Sequence, residues 1–389
     1  TIPSSWRETE LEHLLSHALP RPVSPTHTVR THHLSLSSAF PLASASPHTH
    51  RHTHTHTPVR GNSSNSAHPT IMRLSTPILT VACLCLCVCV LVCVGAPQVR
   101  STATTPHRNI TTPVVLIHGI SASNASLSHV KTLLQSYGAY VLNLNIGDGP
   151  HDSNFMQMFD QSDFACFSVR LDPNLRNGFH LIGMSQGGLV ARGMLQRCPD
   201  IKVHSFISWV SPQAGQFGVP TFTTDCRDLL HLPLLCDVLN NIVDTFTYDE
   251  SVQKLLSFLQ YWKDPYKMSV YREKSLFLGE INNARPHPLS QQYKDRILSL
   301  KHFMLVHSTV DVILVPKETS AWGFYAPGSI TKIIPLKESP IYQEDWLGLR
   351  ALDESGRLSL MNTTCIHQDY DTECFDKYFM EGVFPLLAD

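Results

Sequence analysis

The residues richest in chemistry lie at Gly183-Met184-Ser185-Gln186-Gly187-Gly188, a G-x-S-x-G pattern. A serine hydroxyl is a weak nucleophile until a base takes its proton and a third group orients that base. Glycines suit the flanks because a serine presented on a sharp turn brings neighbouring backbone too close for a Cβ. The apolar run Phe179-His180-Leu181-Ile182 enters the turn, and Leu189 to Leu195 leaves it as a helix-compatible segment. That strand, turn and helix context separates a nucleophile from an incidental serine in a structural glycine turn.

Chain order then points to the partners, because serine nucleophiles on such turns are followed by Asp or Glu and then His. After Asp311 the chain contains a single histidine, His367, which makes it the expected base. His302 and His307 come earlier and are expected to be strand-end histidines in ordinary hydrogen bonds. Spacing alone leaves the acid open among Asp311, Glu318, Asp345 and Asp353, although isolated carboxylates are mostly solvated surface charge. A tetrahedral intermediate also needs two backbone donors, expected from the amides of Ile120, after His118-Gly119, and Gln186. His118 itself is expected to stabilise that loop.

These groups need a rigid scaffold. Pro113 to Ile117 is a short continuous apolar run, as a strand buried on both faces requires. Val141 to Leu144, Phe179 to Ile182, Phe206 to Val210 and Phe303 to Val306 are four further candidate strands. Leu127 to Tyr137 and Gly188 to Arg197 fit as helices between them, and this alternation predicts an α/β fold with a mostly parallel central sheet. A leucine- and aromatic-rich insertion at about 215–300, with Phe217, Phe258, Tyr261 and Trp262 among its residues, separates the last two candidate strands. It predicts a helical, lid-like element with an apolar groove.

Composition divides the chain. With 30 Lys+Arg against 32 Asp+Glu and a pI near 6.9, there is no basic footprint for nucleic acid. Half of the 22 histidines precede Met72, and residues 1–71 are rich in Ser, Thr, Pro and His. Such a segment cannot bury enough apolar surface to offset its chain entropy and is expected to be disordered or an untranslated leader. The alternating His-Thr run from His48 to Thr57 fits translated dinucleotide repeat, the alternative being a loose metal-binding tail. Arg73, an apolar run to Val94 and the small residues Gly95 and Ala96 read as a signal peptide at 72–96, with retention as an anchor the alternative. The rest, 97–389, is expected to be one secretory domain with no stable membrane span once the signal is cleaved. It holds six cysteines, which admit fifteen disulfide pairings. In that compartment Asn109, Asn124 and Asn362 begin glycosylation sequons. No metal or nucleotide motif is present, and no cofactor is expected.

From about Pro113 to the C-terminus the chain resembles the palmitoyl-protein thioesterases, lysosomal α/β hydrolases that remove long fatty acyl groups from cysteine. The matching stretches are His118-Gly119, Ser185 to Leu189, Ser211 to Gly218, Tyr261-Trp262-Lys263-Asp264-Pro265, Trp322-Gly323-Phe324-Tyr325 and Leu347-Gly348-Leu349. The resemblance implies the α/β-hydrolase fold, Ser185 as nucleophile, Asp311 as acid, His367 as base, and Ile120 and Gln186 as oxyanion donors. It also implies the pairs Cys166 with Cys198, Cys226 with Cys236 and Cys365 with Cys374. The implied substrates are S-acylated proteins or peptides, or fatty acyl-CoA, and the implied location is the lysosome, with secretion as the alternative. Two departures stand out: no cysteine falls between Ser121 and Ser126, and Met184 replaces a commonly aromatic residue. The same triad would equally serve a secreted lipase or oxyester esterase, and a non-catalytic lipid carrier is the reading from another class.

Overall fold

A computed structural model describes residues 109–218 and 247–388. The expected leader, the signal segment and the Cys226–Cys236 pair lie outside the described residues.

The described residues form eight strands: β1 (Val114–Ile117), β2 (Val141–Leu144), β3 (Phe179–Met184), β4 (Val203–Trp209), β5 (His302–Ser308), β6 (Phe324–Tyr325), β7 (Ile333–Ile334) and β8 (Leu358–Thr363). Six form one sheet in the order β2-β1-β3-β4-β5-β8, every neighbouring pair parallel. β6 and β7 make a separate antiparallel ribbon. All five strands expected from the sequence are in the sheet, and β8 joins its edge. Six helices matter here: α1 (Ser128–Ser136), α2 (Pro150–Phe155), α3 (Met158–Leu171), α4 (Gln186–Arg197), α5 (Ser290–Leu298) and α6 (Glu373–Tyr378).

The alternation of a pleated strand sorts the core into two layers. Val114 and Leu116 join Ile182, Met184, Ile207 and Trp209 on one face, packed against α1 and the C-terminal segment through Phe375, Phe379 and Val383. Val115 and Ile117 join Leu181, Phe206, Phe303 and Leu305 on the other, packed against α3, α4 and α5. Helices on both faces of a parallel sheet define the α/β-hydrolase architecture of this chain. The sheet starts at β1, runs out to β2, then returns to β3 on the other side of β1. The direction in which successive strands are added across the sheet therefore reverses between β1 and β3, and the crevice beyond the carboxyl ends of those parallel strands is where such sheets bind ligands.

Candidate active site

Ser185 follows β3 directly at φ 53° and ψ −130°, a conformation that costs on the order of 1–3 kcal/mol outside glycine. Two hydrogen bonds pin it: its amide donates to the Trp209 carbonyl at 3.0 Å, and its carbonyl accepts from the Gly188 amide at 3.0 Å. The flanking glycines are dictated by space. A Cβ on Gly183 would meet the Gly187 carbonyl oxygen at 2.5 Å, and one on Gly187 would meet the Ile117 and His118 carbonyl oxygens at 2.3 Å. The strand-turn-helix reading of the motif thus has its physical cause in backbone packing.

The structure brings Ser185, His367 and Asp311 together. Ser185 Oγ lies 2.9 Å from His367 Nε2, and His367 Nδ1 lies 2.7 Å from Asp311 Oδ2. Asp311 and His367 are each 5% exposed, so their contact is sheltered from water. The other carboxylate oxygen, Asp311 Oδ1, accepts from the amides of Ile313 at 2.8 Å and Leu314 at 3.0 Å. These bonds fix the carboxylate plane and with it the imidazole. His367 sits on the loop after β8, tied down by the Cys365–Cys374 disulfide and by Ser308 Oγ donating to the Cys365 carbonyl at 2.6 Å. Each of the three groups follows the carboxyl end of a parallel strand: β3, β5 and β8.

The loop after β1 passes against the nucleophile, since a Cβ on Gly119 would stand 2.9 Å from Ser185 Cβ. The Gln186 amide is the first of α4 and has no partner within that helix. The Ile120 amide has no backbone acceptor among the described residues. His118 is 2% exposed, and the Ile146 amide donates to its Nε2 at 3.1 Å. Nε2 is thus an acceptor, which leaves the proton on Nδ1 to donate to the Gly119 carbonyl at 2.8 Å. Burial pushes the His118 imidazole below its ordinary range, in keeping with this neutral tautomer. His118 holds the loop and does not face Ser185 among its hydrogen-bond partners.

One network was not foreseen from the sequence. The Gln186 side chain, 1% exposed, donates to the Ser153 carbonyl at 2.6 Å and accepts from Ser257 Oγ at 3.0 Å. Ser257 Oγ also reaches the Ser153 carbonyl at 2.8 Å, and Gln161 Nε2 closes the group on Met156 at 2.8 Å. The start of α4 is thereby locked to α2, α3 and the insertion. No local signal reveals it, because Ser257 lies 71 positions from Gln186.

The remaining candidates fall elsewhere. Asp345 pairs with Lys294 at 3.1 Å, and Asp353 pairs with Lys337 at 2.7 Å. Glu318 borders His307, whose Nδ1 lies 2.9 Å from Ser320 Oγ, and His302 opens β5. Cys166 and Cys198 are bonded, joining α3 to the end of α4. Asn109 and Asn362 are exposed, whereas Asn124 is half-buried. A cavity of ≈ 380 Å³ opens over Ser185, lined by Gly119, Ile120, Ser121, Ile313, His367 and Tyr370. Beside it, Gln216 ties the root of the insertion to the segment after Asp311: its Nε2 donates to the Ile313 carbonyl at 3.2 Å, and its Oε1 accepts from the Val315 amide at 3.1 Å. The next residue, Phe217, packs with Leu256, Phe258, Leu259 and Trp262 in a small apolar cluster.

The sequence profile described as palmitoyl protein thioesterase matches residues 113–367. Palmitoyl-protein thioesterase 3 of Dictyostelium discoideum is 41% identical over 282 residues, covering 72% of this chain and 93% of that protein. Palmitoyl-protein thioesterase 1 of Caenorhabditis elegans is 33% identical over 293 residues, covering 71% and 95% respectively. Lysosomal thioesterase PPT2 of Homo sapiens is 31% identical over 265 residues, covering 67% and 83%. The match spans all six strands of the main sheet and every residue of the Ser185, Asp311 and His367 cluster, and the chain belongs to the palmitoyl protein thioesterase family.

Proposed function

We propose that this chain hydrolyses long-chain fatty acyl thioesters on proteins or peptides, with palmitoyl-cysteine as the leading substrate and fatty acyl-CoA as a further one. The observation that carries the reading is the Ser185–His367–Asp311 relay at 2.9 and 2.7 Å in a chain of this family. Ser185 Oγ attacks the thioester carbonyl while His367 Nε2 takes its proton, and Asp311 holds the other imidazole nitrogen protonated. The oxyanion that forms accepts hydrogen bonds from the Ile120 and Gln186 amides. The C–S bond then breaks, and His367 Nε2 passes its proton to the departing sulfur, which leaves the imidazole neutral for the second half of the reaction. A thiol with a pKa of about 8.5 leaves far more readily than an alkoxide, so protonation of the leaving group matters less than for an oxyester. Water deprotonated by His367 attacks the acyl-serine, and the fatty acid leaves as Ser185 regains its proton.

The apolar cluster of Phe217, Trp262 and their neighbours is the described part of a surface for the acyl chain, with each buried CH2 contributing about 0.8 kcal/mol. The expected location is the lysosome, reached through the secretory pathway, with Asn109, Asn124 and Asn362 as glycan acceptors. Among the described residues no helix is long and apolar enough to cross a membrane.

The test is a paired assay of S-palmitoyl and O-palmitoyl peptides with wild type and Ser185→Ala. Thioester turnover in wild type that exceeds oxyester turnover, and is lost in the variant, is expected. Turnover retained by Ser185→Ala refutes the nucleophile, and a preference for the oxyester makes the chain an esterase or lipase.

A further inference from the structure

Gln216 and Trp262 form a lone parallel bridge, and neighbouring residues of an extended segment face opposite ways. Trp262 thus joins the apolar cluster near Phe217, while Lys263 lines a separate cavity of ≈ 240 Å³. None of the residues lining this cavity lines the one over Ser185. Its walls are apolar and aromatic, with Met268, Tyr271, Trp322, Phe324, Ile341 and Trp346 among them.

The cavity has an unbalanced charge. Lys263 Nζ stands 4.2 Å from the ring centre of Phe324 and 5.6 Å from that of Tyr271, and no carboxylate pairs with it among the described residues. Burial, with Arg272 adding repulsion, pushes its ammonium down to about 7. Arg272 lines the same space, and Arg192, fully buried, lies 5.0 Å from the Trp322 ring with only carbonyl oxygens as its hydrogen-bond partners. Burial pulls the Arg192 guanidinium down to about 9, still charged at neutral pH. Against these cations the lining offers one carboxylate, Glu338. Two lining residues also carry buried polar atoms without partners: Nε1 of Trp322, 2% exposed, and Oδ1 of Asn282, 4% exposed.

Arg192 is fully buried and Lys263 half-buried, neither with a carboxylate partner among the described residues, and a cation withdrawn this far from water is stabilised by an anion that reaches it. We propose that this cavity is a second small-molecule site that takes an apolar monocarboxylate, its carboxylate on Lys263 and its hydrocarbon body between the aromatic walls. Cation–π contact orients Lys263 without neutralising it, which leaves its N–H groups free to donate to the ligand. The cavity volume suits a ligand of short to medium chain length rather than a full-length palmitoyl chain.

Octanoate, with 1-octanol as its neutral twin of equal chain length, tests the site by isothermal titration and tryptophan fluorescence on wild type and Lys263→Met. The expected result is saturable octanoate binding in wild type with a component that Lys263→Met weakens at least tenfold, and octanol binding that the substitution leaves within twofold. Thermal melts and far-UV circular dichroism of both proteins show that the variant is folded. Octanoate binding of equal strength in the two proteins, wherever it occurs, or no saturable binding in wild type, overturns the proposal.

Discussion

In the proposed mechanism Ser185, His367 and Asp311 divide the labour by what each can hold. Asp311 accepts from three donors, the His367 imidazole and the amides of Ile313 and Leu314, so its charge needs no solvent to be stabilised. Replacing it by Asn keeps the shape but favours the wrong imidazole tautomer, and kcat is expected to fall by about 10³–10⁴-fold with KM little changed. Steady-state kinetics on a palmitoyl thioester checks this. The same spacing argument that isolated His367 left four carboxylates open, because sequence separation carries no information on which side chains share a pocket. Asp345 and Asp353 turn out to be occupied by lysines. The Gln186 amide was legible from the motif, yet the side chain's bonds to Ser153 and Ser257 were not, since they depend on elements far apart in sequence. Gln186→Ala leaves the amide in place but removes those bonds, so it is expected to lower kcat by roughly 10-fold or more through misplacement of the donor.

At the scale of elements, the loop after β8 depends on its covalent brace. The Cys365–Cys374 bond closes a loop of sequence separation 9, and opening it is expected to cost about 2–3 kcal/mol by the chain-entropy estimate. Cys374→Ser is therefore expected to lower both the melting temperature and kcat, because the freed loop carries His367. Cys166→Ser, at a bond between α3 and α4, should lower the melting temperature with a smaller effect on kcat. Differential scanning calorimetry beside thioester turnover separates the two cases. The strands β1, β3, β4 and β5 were legible because each carries a run of mostly apolar residues buried on both faces, and β2, at the other edge, because Val141, Leu142 and Leu144 keep a short apolar run there. β8 was not: in Leu358–Thr363 only Thr363 is buried, the others are half-buried or exposed with Leu360 at 55%, and an edge strand of this kind has no distinctive run.

The whole molecule is expected to lose stability on the acid side. Burial pushes His118, His204, His287 and His307 below the ordinary histidine value, with Lys301 and Lys202 adding to the effect at His204. A depressed histidine binds fewer protons folded than unfolded, so its stability contribution is complete above about pH 6.5 and is lost as pH falls below it. Urea midpoints are expected to drop between pH 7.5 and pH 5.5, and His118→Gln, which can reproduce the bonds to Ile146 and Gly119, should flatten part of that slope. At this scale the opening composition also changes meaning. Without residues 1–96 the chain has 24 Lys+Arg against 29 Asp+Glu, a mildly acidic protein in place of a near-neutral one.

Ser185, Asp311 and His367 follow β3, β5 and β8, and among the described residues β8 pairs only with β5 at the sheet's edge. That arrangement sets when in the life of the chain chemistry can begin. If His367 is the base, a nascent chain that holds β1 to β4 alone lacks it, and is expected to stay inert until the segment past His367 has emerged. On the proposed mechanism, a chain truncated before His367 is expected to show no hydrolytic activity, and detachment of β8 alone is expected to take the base away from Ser185.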